Sequence, residues 1–250
     1  MKFGGLVVLV SCVACGEVAD PNKLADAPLV PDAGDAAVAD GPPMDAPPRC
    51  DPAKPFGAPM PIAELNTNMS EVTPYLSQDE LLILFASNRS GGVGGMDIYL
   101  AARTSPTVPF DAPILLPGVN TTMAESRPMV TMSRLRLYVE TNTTGMPADW
   151  EISGATRASM GVAFGAWAAI PQLNSATADT APFVLPDDSA IYFMSNRAVG
   201  GAHELWKSDH PGGNWTTPAA VPGVNLNDAT MDYPFLTPDE LTLYFSSSRT

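Results

Sequence analysis

The sequence predicts an all-β protein made of short antiparallel strands. Its 26 Pro and 20 Gly residues argue against a mainly helical chain, because both residue types interrupt helices. At the same time 45% of the residues are apolar and only 16% are charged, which excludes disorder throughout the 250 residues. The third observation is an internal repeat, which narrows the choice among all-β architectures.

From Phe56 onward the chain repeats itself with a period near 54 residues. A proline marks each unit, and successive copies are 54, 54 and 52 residues apart: Pro74, Pro128, Pro182 and Pro234. Two further columns keep this step, an asparagine after Leu or Val (Asn66, Asn120, Asn174 and Asn225) and an aromatic residue before a Pro-containing stretch (Phe56, Phe110, Phe164 and Trp215). So many columns in register leave little room for coincidence.

Each unit contains runs of β-branched, leucine and aromatic residues between polar turn residues, the pattern of a β-strand. The runs are 81–85, 135–139, 191–194 and 241–245. The turn before each run carries Asp79, Ser133, Asp187 or Asp239, residue types that hydrogen-bond to the backbone two residues on. A Gly-rich turn follows in the first and third units (90–95 and 199–201) and leads into the next strand, 97–101 in the first unit.

Every unit therefore offers about four short antiparallel strands, and a single sheet of that size cannot bury its own faces. Units stacked side by side bury those faces against one another. Four-stranded antiparallel blades arranged radially form a β-propeller, and this is the fold class predicted for 56–250.

Residues at fixed places in the first unit are Pro74, Ser77, Asp79, Phe85, Ser87, Arg89, Gly91, Gly92, Gly94, Gly95 and Asp97 followed by Ile-Tyr. This pattern resembles the WD-like propeller repeat of TolB and related periplasmic and cell-surface proteins. The third unit keeps Pro182, Asp187, Arg197, Gly200 and Gly201, with Glu204 in place of the aspartate, and the last keeps Pro234, Asp239 and Arg249. The second unit departs from the pattern, with Ser133 for the turn aspartate and Thr143 for the arginine. The glycine that this family carries after the turn aspartate is replaced by Glu80, Arg134, Asp188 and Glu240.

Three units and about half of a fourth are present, fewer than the roughly 4 to 8 blades of closed propellers. We therefore expect an incomplete ring. It is explained by a truncated reading frame that continues beyond Thr250 or, alternatively, by a half-ring completed through oligomerisation. Sequencing the coding DNA past the Thr250 codon separates the two explanations.

Residues 1–15 have the pattern of a secretory signal, with Lys2 followed by an apolar run too short to span a bilayer. A cysteine just after this run resembles the bacterial lipoprotein box, which implies acylation and membrane attachment. Cys15 gives the more usual signal length, whereas Cys12 fits the box residue by residue; we favour Cys15 and keep Cys12 as the alternative. An ordinary signal peptide, cleaved nearby without a lipid, is the remaining interpretation.

Residues 16–55 are rich in Ala, Asp and Pro and contain almost no large apolar side chain to bury. We predict a disordered tether here, extended further by repulsion between its carboxylates.

The chain offers little material for familiar catalytic or metal sites. It has two histidines, His203 and His210, both expected in solvent-exposed loops, and neither a phosphate-binding loop nor a Gly-x-Ser-x-Gly elbow. We therefore predict no catalytic residue, no cofactor and no metal. The formal net charge of −14 argues against nucleic acid as a partner, because the phosphate backbone would be repelled.

Arg89, Arg197 and Arg249 recur at one position of the repeat. Repetition favours a structural role, because an active site is usually unique whereas a structural need recurs in every blade. We expect salt bridges from these arginines to Asp97 and Glu204 of the same hairpins.

These observations lead us to expect a non-catalytic binding or scaffold lipoprotein, exported to the periplasm or cell surface, whose propeller docks an envelope protein, a peptide or a glycan. The alternatives are a propeller hydrolase or lyase acting on polysaccharide, and the N-terminal propeller of a larger protein. Unique carboxylates clustered at the mouth of the channel would favour the enzyme. Polar residues that recur in every repeat would favour binding.

Overall fold

The computed structural model describes residues 55, 57–142, 144–145, 149–198, 201–226, 229–237 and 240–249. The signal segment with Cys12 and Cys15, the predicted tether except Pro55, and Phe56, Thr143, Gly200, Asp239 and Thr250 lie outside these residues. The described residues from Met60 onward form one compact unit, and residues 55 and 57–59 belong to another and are exposed. Within the described residues, the chain has no helix with the length and apolar character that crossing a membrane requires.

The described residues form three four-stranded antiparallel sheets and one two-stranded sheet, which confirms the predicted all-β class and its antiparallel blades. The strands of each sheet pair in chain order. Blade 1 contains β1 (Glu71–Leu76), β2 (Leu82–Ser87), β3 (Asp97–Ala102) and β4 (Ile114–Leu115); blade 2 contains β5 (Ala124–Val130), β6 (Arg136–Asn142), β7 (Trp150–Thr156) and β8 (Ala168–Ala169); blade 3 contains β9 (Asp179–Val184), β10 (Ala190–Ser195), β11 (Glu204–Asp209) and β12 (Ala219–Ala220); blade 4 contains β13 (Met231–Leu236) and β14 (Leu243–Ser247). One turn of 3-10 helix spans Pro211–Gly213.

The sheets stack side by side in chain order, as the blades of a β-propeller do. Strand β5 packs against β1, β2 and β3, then β9 against β5, β6 and β7, and β13 against β9, β10 and β11. The first strands of successive blades contact one another, so β1, β5, β9 and β13 are the innermost strands.

The hydrophobic core lies between the blades. Leu84, Val130 and Leu137 pack together between blades 1 and 2, and Tyr138, Val184 and Ile191 pack together between blades 2 and 3. The second strand of each four-stranded blade is therefore almost wholly buried, and all six residues of β10 are buried. This explains why the run at 81–85 lacks polar alternation.

The repeated asparagines fasten the loop after each fourth strand to the third strand. The Asn120 side chain accepts the N–H of Ile98 at 2.6 Å and donates to its carbonyl at 3.0 Å. Asn174 bonds Ile152 in the same way, and Asn225 bonds Leu205. In each four-stranded blade, one asparagine side chain thus satisfies both the N–H and the carbonyl of a buried residue on the third strand.

As predicted, the turn between the first and second strands of blades 1 and 3 is closed by an aspartate side chain that accepts a hydrogen bond from the backbone N–H two residues later. Asp79 accepts the N–H of Leu81 at 3.1 Å, and Asp187 accepts that of Ser189 at 3.0 Å. The next residue is left-handed in all four turns, with φ of +59° at Glu80, +56° at Arg134, +64° at Asp188 and +58° at Glu240. The family pattern places a glycine here because glycine adopts this conformation without steric cost.

The predicted partners of the repeated arginines are wrong. Arg89 pairs with Glu71 at 3.1 Å rather than with Asp97, and it also donates to the Leu65 carbonyl and the Ser87 hydroxyl. Arg197 makes the equivalent contacts with Asp179, Leu173 and Ser195 rather than pairing with Glu204. Each arginine follows the second strand, and its side chain reaches back to the start of the innermost strand instead of across the Gly-rich turn.

The remaining members of this column differ in their partners. Arg249 keeps the backbone contact, donating to the Val224 carbonyl at 2.8 Å, but Met231 occupies the acidic position. Asp97 instead closes the Gly-rich turn by accepting the N–H groups of Val93 and Gly94. Glu204 is the first residue of β11.

Loss of the Arg197 side chain should destabilise the protein strongly, because Asp179 has a side chain with no exposed surface and would lose its cation. We expect Arg197→Ala to lower the free energy of unfolding by about 3 kcal/mol. Lys207→Ala, which removes the more exposed pair with Asp209, should cost less than about 1 kcal/mol. Denaturant unfolding measures both, and equal losses would contradict a clamp function for Arg197.

Candidate active site

The innermost strands share a backbone irregularity just before the repeated proline. Thr73, Arg127, Ala181 and Tyr233 have φ between +48° and +57°, and the strand pairing shifts register here in every blade. These residues precede Pro74, Pro128, Pro182 and Pro234, which lack an N–H for pairing. A left-handed conformation is uncommon for residues other than glycine, and its recurrence in all four blades marks it as a feature of the repeat. The four positions also differ in size and charge between repeats.

A cleft of about 270 Å³ opens beside two of these residues, Arg127 and Tyr233. Trp150 begins β7 and Ser195 ends β10, so the cleft lies at the end of the blades where second strands finish and third strands start. Its lining comes from blades 2, 3 and 4: Arg127, Glu140, Trp150, Ala178, Thr180, Met194, Ser195, His203 and Tyr233.

Glu140 is the buried acid of this cleft, with 4% of its surface exposed. Its carboxylate accepts from the Arg127 guanidinium at 2.9 Å and from the backbone N–H of Ala181 at 3.1 Å. Burial raises the pKa of Glu140, and the nearby Arg127 charge opposes that rise. The side chain is thus an acid that holds its proton more firmly than an ordinary glutamate.

Arg127 spans from blade 2 towards blade 4. Its guanidinium carbon lies 4.6 Å from the centre of the Tyr233 ring, and its backbone N–H donates to the Thr73 hydroxyl at 3.1 Å. The equivalent residue of the intervening blade is Ala181, whose methyl group leaves room for the longer side chain to pass. An ion pair and a cation–π contact therefore fix the guanidinium in place.

His203 lies just before β11, and its Nδ1 is 2.8 Å from the Asp232 carboxylate. The imidazole lines the cleft, and 43% of its side-chain surface is exposed. A carboxylate at this distance orients the ring and favours one tautomer, the arrangement found where histidine transfers protons.

The charged and aromatic groups of the cleft occur once in the repeat. Glu140 aligns with Ala86, Met194 and Ser246; Asp232 aligns with Val72, Ser126 and Thr180; Trp150 aligns with Met96 and His203. Glu140 lines the cleft, Asp232 contacts its His203, and neither carboxylate recurs in the repeat. They contrast with Glu71 and Asp179, which recur because the arginine clamp needs them.

Sequence reasoning missed most of this site. His203 lies in a loop with part of its side chain exposed, as expected, and it also lines the cleft. His210, expected to be exposed as well, is buried, and its ring stacks on Trp215. Arg127, Glu140, Trp150 and Tyr233 were not predicted as site residues. One feature of the sequence could have indicated these residues. When the repeats are aligned, a charged residue stands at a position where the other units carry small or apolar residues. The residues predicted from the repeat lie elsewhere, in the clamps, turns and innermost strands. Within the described part of the chain, no group of three or more His, Cys, Asp or Glu side chains is arranged to hold a metal ion.

No protein-family model matches the sequence, and no curated protein is similar to it. Among solved structures, the chain is similar to the endo-arabinase from Bacteroides thetaiotaomicron VPI-5482, with 14% identity and a TM-score of 0.42 over 71% of this chain and 73% of that one. The predictions of a non-catalytic scaffold and of a chain that is not an enzyme are withdrawn, because Glu140 lines the cleft and has no acidic counterpart in the other repeats. A similarity of this size says nothing about substrate, and the functional argument below depends on the cleft.

Removal of the Arg127 charge should raise the pKa of Glu140 further, because the guanidinium stabilises the ionised carboxylate. We expect the carbon-13 NMR titration midpoint of the Glu140 carboxyl to move to higher pH in Arg127→Met, with the signal assigned by its loss in Glu140→Gln. Arg103→Met, which removes a cation paired with Glu80, is the matched control and should leave the midpoint in place. An unchanged or lower midpoint in Arg127→Met would show that the two groups are not coupled.

Proposed function

We propose that the chain hydrolyses glycosidic bonds of a polysaccharide in the cleft at Glu140. The observation that carries the proposal is Glu140 itself, a buried carboxyl with a raised pKa that lines an open cleft at a position where other repeats have no acid. Structural acids of this protein recur from blade to blade. A solitary buried acid in a cleft instead calls for a functional explanation.

Hydrolysis of a glycosidic bond needs an acid that is still protonated when substrate binds, so that it can protonate the leaving oxygen. Burial supports this role for Glu140 by disfavouring its charged form. Arg127 and the Ala181 N–H then stabilise the carboxylate that remains after proton transfer. The same contacts hold the side chain in one orientation.

The reaction also needs a group that activates water or attacks the sugar. The pair of His203 and Asp232 supplies the second titratable centre of the cleft. In this proposal Asp232 orients the imidazole, and His203 takes the proton from the attacking water.

Sugar rings present flat faces of C–H groups that stack on aromatic side chains. Trp150 and Tyr233 line the same cleft as Glu140, and more than half of the Tyr233 surface is exposed. These two rings are suited to hold sugar units, and this supports a carbohydrate over a small polar substrate.

The full chain should release reducing ends from at least one member of a panel of plant and bacterial polysaccharides that includes arabinan and pectin. Glu140→Gln should lower this rate by at least about 100-fold, because the neutral amide cannot donate the proton. Glu64→Gln, which alters an exposed carboxyl, is the control and should keep the rate. Loss of activity in both variants, or in neither, would refute the role of Glu140.

The same proposal places the protein at the cell envelope, as a TolB-like propeller that is exported and anchored by a lipid. The N-terminal signal segment and the lipobox-like cysteine support this location. Cells that express the full chain should incorporate labelled palmitate into it, and Cys15→Ser should abolish the label. Cys12→Ser is the matched variant. If only Cys12→Ser loses the label, the acylated residue is Cys12 and not Cys15. If neither the wild type nor either variant carries the label, the chain has no lipid anchor.

A further inference from the structure

The guanidinium of Arg127 has more hydrogen-bond donors than its bond to Glu140 uses. It has five N–H donors, and within the described residues its recorded side-chain hydrogen bond is the one to Glu140. About a fifth of its side-chain surface is exposed, and the residue lines the cleft. The ion pair with Glu140 and the contact with Tyr233 hold the group in place, so less rotational freedom is left to lose when a ligand binds.

The charge of Arg127 is neutralised in only one of the two protonation states of the Glu140 carboxyl. When Glu140 is ionised, the ion pair is complete. When Glu140 carries the proton that general acid catalysis requires, Arg127 is a cation without a counterion in a partly buried site, which is costly. An anionic group on the substrate would remove that cost in the reactive state.

Because the rest of the molecule is acidic, the positive charge of Arg127 matters more for binding an anionic ligand. The chain has a formal net charge of −14, so an anionic polymer is repelled by most of its surface. Among the lining residues Arg127 is the permanent cation, and the other basic group is His203. An anionic substrate would therefore be held at this point of the surface.

We propose that the polysaccharide bound in the cleft contains uronic acid units, and that Arg127 selects them by binding the sugar carboxylate beside Glu140. This inference rests on the proposed function and adds the substrate class. Arginine matches a carboxylate through two parallel N–H donors, and the aromatic rings of Trp150 and Tyr233 hold the sugar faces. When Glu140 is protonated, a neutral sugar would leave the guanidinium without a carboxylate partner.

Binding of defined oligosaccharides to the full chain tests the proposal. The probes are galacturonate and glucuronate oligosaccharides, each compared with its methyl ester, which keeps the backbone and removes the charge. Calorimetry should show at least one free acid binding about tenfold or more tightly than its ester. The preference should weaken with added salt.

The Arg127→Met variant should bind acid and ester with equal affinity, and Arg127→Lys should restore part of the preference. Arg103→Met removes one cation outside the cleft and should keep the preference, which controls for net charge. If the thermal unfolding of Arg127→Met is unchanged, its loss of preference reflects recognition and not folding. If its thermal unfolding is changed, the binding result for Arg127→Lys separates recognition from folding. Equal binding of acid and ester by the wild type, binding of neither, or a preference that survives Arg127→Met would overturn the proposal.

The outcomes also separate this inference from the proposed function. Uronate binding that depends on Arg127, without cleavage of any polysaccharide, would support the inference and refute hydrolysis. Cleavage of neutral polysaccharides alone would support hydrolysis and refute uronate selection.

Discussion

The structure depends on burial between neighbouring sheets. A four-stranded sheet of six-residue strands cannot cover its own faces, and each blade here is stable because the next blade covers it. The second strand of every four-stranded blade is almost wholly buried, and its central residues are mostly apolar. The asparagine bonds and the arginine clamps satisfy the polar groups that this stacking removes from water.

The candidate site arises where this regular scheme is broken. The bulge before each proline turns one residue of every innermost strand into a left-handed conformation, and the repeats fill that position with threonine, arginine, alanine and tyrosine. The small Ala181 lets Arg127 of blade 2 reach Tyr233 of blade 4. Glu140 then has a cation beside it in a site whose lining also includes Trp150, His203 and Tyr233. The residues that recur in the repeat stabilise the fold, and the residues that depart from it line the candidate site.

Sequence reasoning predicted the parts of the fold that recur. The strand run at 81–85 corresponds to β2, Leu82–Ser87, and the asparagine and turn-aspartate columns each have a local contact that explains their spacing. The partner of Arg89 was missed because Glu71 lies on the preceding strand, whereas Asp97 is nearer in the hairpin pattern. The cleft was missed because Arg127, Glu140 and Tyr233 meet only when blades 2 and 4 pack around blade 3. Repeat alignment alone marks such residues as exceptions without showing that they converge.

The most direct test of the central claim is a crystal structure of the full-length Glu140→Gln variant with a bound uronate oligosaccharide. The account predicts a sugar unit against Trp150 and Tyr233, its carboxylate on Arg127, and a glycosidic oxygen within about 3 Å of the residue 140 side chain. An oligosaccharide bound elsewhere on the propeller, with the cleft at Arg127 filled only by solvent, would contradict it.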